Sequence, residues 1–223
     1  MNKLNNNMIH DGHHETRSKL ITKLLPYVRK NGFQSLTMDE ISKIMSISRA
    51  TLYKYFSTKE DIVEFIVDSF VKYIHEIVDE TTGEQIGVRF QQIFEQSVML
   101  IQYLTDVFLK ELEGNYPEKY ERLRETLKMR ENQILDFFNE GMQQGIFNHI
   151  NGKIIIKQDE ILREILDVKY LMENNLTVYN IIFDYYNIKK IQLFKPEQLQ
   201  TLDDGIMMPK IEHMANKITK NLF

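Results

Sequence analysis

Two helix-start signals stand close together near the N-terminus, and each is followed by only about two turns of apolar period. In Thr37-Met38-Asp39-Glu40 a hydroxyl precedes a carboxylate by three positions, the spacing at which each side chain caps the other residue's backbone amide. Ile41 and Ile44 then point inward, and the helix ends near Met45. Ser48 is the next N-cap, with Leu52 and Phe56, four apart, as inward anchors. Two short helices joined by about two residues predict a helix-turn-helix. A longer helix precedes them. From Glu15 to Lys30, Leu20, Leu24, Leu25 and Val28 recur at helical spacing, and Asn31-Gly32 is a C-cap signal. Pro26 inside this segment removes a backbone donor and is expected to kink or shorten the helix.

The rest of the chain reads as helical too. Ser57-Thr58-Lys59-Glu60 is a further capping box opening a helix over residues 58 to 80, which ends at Thr81-Thr82-Gly83. Its two apolar stripes, Ile62, Phe65, Ile66, Phe70, Tyr73 and Ile77 against Val63, Val67, Val71, Ile74 and Val78, suit a connection between two bodies. Apolar segments follow at 88–110, at about 117–144 ending on Gly145, and at 158–190 as one long or two shorter helices broken at Asn174-Asn175. A last helix is expected to start near Pro209. Asn151-Gly152 is either a hairpin turn or a loop between helices. The expected fold class is all-α. Residues 1–14 form a flexible tail, 15–57 a three-helix helix-turn-helix domain, 58–80 a connecting helix and 81–223 a larger helical domain.

Charge is segregated along this order. Residues 1–60 hold ten Lys/Arg and five Asp/Glu, a net of +5, whereas residues 61–223 hold eighteen and twenty-seven, a net of −9. A basic N-terminal segment meets a polyanion, and an acidic remainder does something else; chance clustering is the alternative. At 43% hydrophobic and 27% charged residues the chain is neither disordered nor membranous. No apolar run approaches the roughly 20 residues of a membrane span, and no secretory signal precedes the fold. The absence of cysteine removes disulfide and thiolate chemistry and fits a cytoplasmic home. In the tail, His10, Asp11, His13 and His14 are either metal ligands without a second cluster or part of an arm that touches DNA.

The stretch from Arg49 to Glu60 carries the chemistry. With Leu52 and Phe56 inward, Arg49, Thr51, Tyr53, Lys54 and Tyr55 face outward. Arg49 can fork onto guanine or clamp a phosphate, Thr51 can meet phosphate or a thymine methyl, and the tyrosine hydroxyls can donate to phosphates. Tyr53 and Tyr55 packing between helices is the competing reading. Lys59 stands at a helix N-terminus, where a cation is electrostatically misplaced unless it serves an anion. Gly32-Phe33, Thr37-Met38, Ile41, Thr51-Leu52-Tyr53, Tyr55-Phe56 and Lys59-Glu60 resemble the signature of the TetR (tetracycline-repressor-like) family over about residues 15–65. The resemblance implies a homodimer that reads a palindromic operator through its third helix, with contacts from Thr37, Arg49, Ala50, Thr51, Tyr53, Lys54, Tyr55 and Lys59. It also implies a C-terminal domain that dimerises within roughly residues 160–222 and binds a small-molecule inducer. Glycine is common in that family where this chain has Ser46 and Ala50.

The C-terminal domain is less legible. Tyr103, Phe108, Phe137, Phe138, Tyr170, Met172, Phe183, Tyr185 and Tyr186 are candidates to line an apolar cavity. A closed aromatic cavity there indicates a sensor of a small molecule; a solid core with an exposed apolar patch indicates an adaptor that binds a protein. Metal-ligand spacing, a phosphate loop and a nucleophile elbow are all missing, so no catalytic residue, cofactor or metal is assigned and an enzyme is not expected.

Overall fold

The computed structural model describes the backbone of residues 2–80 and 85–222, and the side chains at those positions other than 2–11, 77–80 and 201. Among the described residues the fold is all-α. Helix α1, Asn2–Asn31, includes most of the segment that lacks an apolar period and runs on past Pro26, which costs one backbone bond without ending the helix. It buries Leu20, Ile21, Leu24 and Val28. Gly32 stops it with φ 77°, its amide returning to the Val28 carbonyl at 2.9 Å.

Helix α2, Met38–Ile44, opens on the expected reciprocal cap: Glu40 N donates to Thr37 Oγ1 at 3.3 Å, and Thr37 N to Glu40 Oε2 at 2.8 Å. Ser46 takes φ 58° in the turn, which explains why a glycine suits this position. Ser48 then caps α3, Arg49–Tyr55, accepting from Thr51 N at 3.0 Å. The cap of α4, Lys59–Glu80, falls one residue later than the sequence pattern places it. Thr58 Oγ1 accepts from Asp61 N at 3.1 Å, and Asp61 Oδ2 accepts from Ser57 N at 3.0 Å. The expected end at Thr81-Thr82-Gly83 lies outside the described residues.

The segment expected as one helix over 88–110 is two, α5 (Ile86–Tyr103) and α6 (Asp106–Asn115), because the Thr105 hydroxyl caps the amide of Phe108. Helix α7, Pro117–Gln143, follows. Asn151-Gly152 is a helix start, with Asn151 Oδ1 accepting from Lys153 N at 3.0 Å to open α8, Gly152–Ile165. Asp167 caps α9, Val168–Glu173, and Asn175 at φ 53° precedes α10, Val178–Leu193, so the 158–190 stretch breaks twice. After a 3-10 turn at Pro196–Thr201, α11 spans Asp204–Leu222. It starts before Pro209 because Asp203 Oδ1 accepts from the Gly205 amide at 2.9 Å and provides the cap.

The chain divides into two units. The N-terminal unit holds the residues up to Lys72 together with Tyr103–Leu123, so α6 and the start of α7 belong to it. Phe108 explains this: its ring lies 5.9 Å from Phe33 and 5.9 Å from Phe70. The Thr105 hydroxyl also donates to the Arg29 carbonyl at 2.7 Å. The C-terminal unit holds Tyr73–Gln102 and the residues from Arg124 onward. Its core is aromatic, with Phe147 set 4.7 Å from Phe194 and 5.3 Å from Phe137, and Phe94 5.3 Å from Tyr186. An isolated antiparallel bridge joins Phe147 and Phe194. No helix among the described residues is long and apolar enough to cross a membrane.

Candidate nucleic-acid interface

Leu52 and Phe56 are both fully buried, and this fixes the rotation of α3. The face they leave outward carries two rows at i, i+4 spacing, Arg49 with Tyr53 and Ala50 with Lys54, all four exposed. Arg49 Nη2 donates to the Tyr53 hydroxyl at 3.5 Å, its guanidinium 5.6 Å from the ring centroid, so the two present one surface. Lys54 extends over Tyr55, its ammonium 5.7 Å from the ring. Tyr55 is half-buried and its other neighbour is the His13 ring at 5.0 Å. Thr51 spends its hydroxyl on Ser48 Oγ at 2.8 Å, and Thr37 spends its own in the cap on Glu40 at 2.7 Å. Lys59 Nζ donates to the carbonyls of Gln34 at 2.7 Å and Leu36 at 3.2 Å, tying the start of α4 to the loop before α2. All eight residues expected at DNA lie in the N-terminal unit, four of them on one open basic and aromatic surface.

Two supports of this surface have no local sequence signal. Glu111 of α6 accepts through Oε2 from the amides of Phe33 at 2.5 Å and Gln34 at 2.9 Å, holding the same loop that receives Lys59. Gly32 leaves the space that this carboxylate fills, since a Cβ there would overlap it. Arg17 of α1 lies over both Phe56 and Phe65, 4.5 Å from each centroid, and bonds Asp61 Oδ1 at 2.5 Å. It pins α3 and α4 together. The side chains of His10 and Asp11 lie outside the described residues, and His14 faces the Phe65 ring at 5.2 Å. Among the described residues no three His, Asp or Glu side chains gather as metal ligands do.

Residues 28–66 match the model of the bacterial regulatory proteins of the tetR family, from the end of α1 into α4. Over those residues the chain is similar to the tetR family. It is 21% identical over 168 residues to the HTH-type transcriptional regulator YvaF of Bacillus subtilis, a match spanning 74% of this chain and 88% of that one. It is 25% identical over 113 residues to IcaR of Staphylococcus aureus, the negative transcriptional regulator of the biofilm operon icaADBC. That match covers 49% of this chain and 54% of IcaR. Two solved structures share the fold. FadR of Bacillus subtilis in complex with stearoyl-CoA superposes with a TM-score of 0.51 at 17% identity, over 79% of this chain and 97% of that one. The ketosteroid regulator KstR2 of Mycobacterium tuberculosis superposes at 0.51 and 14%, over 92% and 94%. These relatives and neighbours are named as transcriptional regulators.

Within the C-terminal unit a cavity opens between α5, α7, α8 and α10, and of the aromatic residues expected there only Phe138 lines it. Tyr103 and Phe108 belong to the other unit, where both face Phe70. Phe137 packs on Phe147, Tyr186 is fully buried against Phe90 and Phe94, and Tyr185 faces Phe94. Phe183 stacks on Tyr179, while Tyr170 and Met172 are exposed on α9. Ring content alone does not distinguish wall from core. The polar lining went unforeseen: Ser97, Asp159 and Lys189 face the same space. Lys189 is buried, donates to Asp159 Oδ1 at 2.8 Å and to the Ile155 carbonyl, and is pulled down from the usual lysine pKa by burial.

Proposed function

We propose that this regulator is a repressor that binds a palindromic operator as a homodimer and is released by a small apolar or amphipathic inducer held in the C-terminal unit. The open face of α3, with Arg49, Tyr53 and Lys54 rotated outward by the burial of Leu52 and Phe56, carries the reading. One helix of this length spans only a few base pairs, so selectivity calls for two copies about a two-fold axis. Ile154 and Ile161 on α8 and Ile188 and Ile191 on α10 are half or more exposed, an apolar surface that a second copy of the chain would cover. IcaR is named a negative regulator, and FadR was solved with an acyl-CoA, both of which favour repression with an inducer. The exposed isoleucines suit the adaptor reading equally well, with a protein partner in place of the small molecule. The cavity with its buried polar groups favours the sensor.

Nuclease protection of DNA upstream of the chain's own gene tests the proposal. Protection of a palindrome is expected, and its absence across that region and the neighbouring genes sinks the repressor reading. Lys54→Ala should weaken binding to all operator variants alike and lower the salt slope by about 1, since the ammonium contributes one phosphate contact. A slope unchanged in Lys54→Ala removes that contact. Lys59→Ala should lose stability as well as affinity, because two loop carbonyls lose their donor.

A further inference from the structure

The three charged groups around the cavity do not balance. Arg130 and Lys189 are both buried, and among the described residues the carboxylate that faces them is Asp159. Among the described residues, Arg130 donates to neutral acceptors: Gln96 Oε1 at 2.5 Å, Ser97 Oγ at 2.7 Å and the Ile93 carbonyl at 3.5 Å. Asp159 Oδ1 is shared between Lys189 and the Tyr185 hydroxyl at 2.7 Å. Among the described residues, two cations and one anion thus sit in this apolar interior with one positive charge in excess. Burial drives the Arg130 guanidinium down to about 10, the response of a cation short of counter-charge. Desolvating a charge without pairing it costs free energy that an incoming anion would recover.

Resting on the sensor reading above, we infer that this cavity takes a monocarboxylate with an apolar body, its carboxylate received by Lys189 and Ser97 in the field of Arg130. One negative charge completes the cluster. A cation adds to the excess, and inorganic phosphate brings up to two charges and nothing for the walls of Phe90, Phe94, Ile134, Phe138, Ile155 and Leu193. The cavity volume is about 20 Å³, close to what a single water needs. An apolar body therefore enters only by displacing the helices or side chains that line the space. The ligand consequently binds the opened arrangement in preference to the closed one, which is the differential affinity a regulatory equilibrium requires.

Thermal unfolding and calorimetry of the full chain, with straight-chain carboxylates from acetate to dodecanoate and with benzoate, each beside its amide and its amine, test the inference. At least one carboxylate should raise Tm by roughly 5–10 °C at a hundredfold excess over Kd. Its amide and amine should bind at least about tenfold more weakly. Lys189→Met should reduce carboxylate affinity roughly 10- to 100-fold and erase the preference over the amide. Asp159→Asn should act in the opposite direction and tighten carboxylate binding, a gain that a purely structural ion pair does not predict. Should Lys189→Met not fold, the acid-amide comparison on the unaltered chain and Asp159→Asn decide the matter. Amides binding as tightly as acids overturn the carboxylate assignment while the small-molecule sensor stands. No response to any acid, from a chain that still protects its upstream DNA, also overturns it and leaves the DNA-binding reading untouched.

Discussion

Replacing Phe147 with alanine should lower stability by about 3–5 kcal/mol and Tm by roughly 6–20 °C, the largest loss expected from any single truncation in the C-terminal unit. The ring is fully buried and makes near-perpendicular contacts with Phe137 and Phe194, so its removal takes away both transfer free energy and edge-to-face geometry. The backbone around it is also committed: Asn148 N donates to the Leu193 carbonyl at 2.7 Å and Lys195 N to the Ile146 carbonyl at 3.0 Å. These bonds resist the collapse that would refill the space, which places the cost high in the usual range. Gly141 gives an independent check, because a Cβ there would overlap the Phe147 ring. Gly141→Ala should destabilise on its own yet cost much less in the Phe147→Ala background. Urea unfolding of the four proteins measures both effects, and a loss below about 1 kcal/mol for Phe147→Ala would show that the neighbours close over the vacancy.

Glu111→Ala should cost about 2–3 kcal/mol in the N-terminal unit and weaken operator binding roughly tenfold. Its carboxylate serves two backbone amides at once, and that of Phe33 belongs to a buried residue left without an acceptor. The loop so released is the one whose Gln34 and Leu36 carbonyls hold Lys59 and whose end carries the Thr37 cap. Loosening it disturbs the seating of α2, and with it the pose of α3, the helix proposed to read DNA. Glu111→Gln keeps one oxygen acceptor and should recover more than half of the loss. Hydrogen exchange at the Phe33 amide reports the bond directly; unchanged protection together with unchanged operator affinity in Glu111→Ala would reduce the carboxylate to a bystander.

What could be read from the sequence follows the range of the interactions. The caps at Thr37 and Ser48 were legible because donor and acceptor lie within one turn, and with them came the rotation of α3. The Thr58 cap was misplaced by one residue because Ser57 and Thr58 both offer a hydroxyl three positions before a carboxylate. Pro209 suggested a first turn, but the Asp203 side chain starts the helix earlier. Glu111 was beyond reach, since its partners lie more than seventy residues away. The cavity charges were missed, although a periodic signal for each was present. Arg130 continues the buried stripe of Leu123 and Ile134, Lys189 that of Tyr186 and Leu193, and Asp159 that of Ile155 and Leu162. A charge at an inward helical position signals a buried polar site. No periodicity shows that three such positions on three helices face one another.

The make-up of the N-terminal unit limits how this protein can be taken apart. Because Tyr103–Leu123 belong with the first seventy residues, the unit that carries the helix-turn-helix is discontinuous in the chain, and no single cut separates it whole. A fusion joined after residue 57 or 80 would strip Phe33 of both Phe108 and the Glu111 carboxylate. A working chimera must import α6 with the helix-turn-helix, or keep a host whose own α6 fits the Phe33 and Phe70 rings. The exchangeable module is a three-dimensional one, and exchange of readers between such proteins is confined to partners that match across that surface.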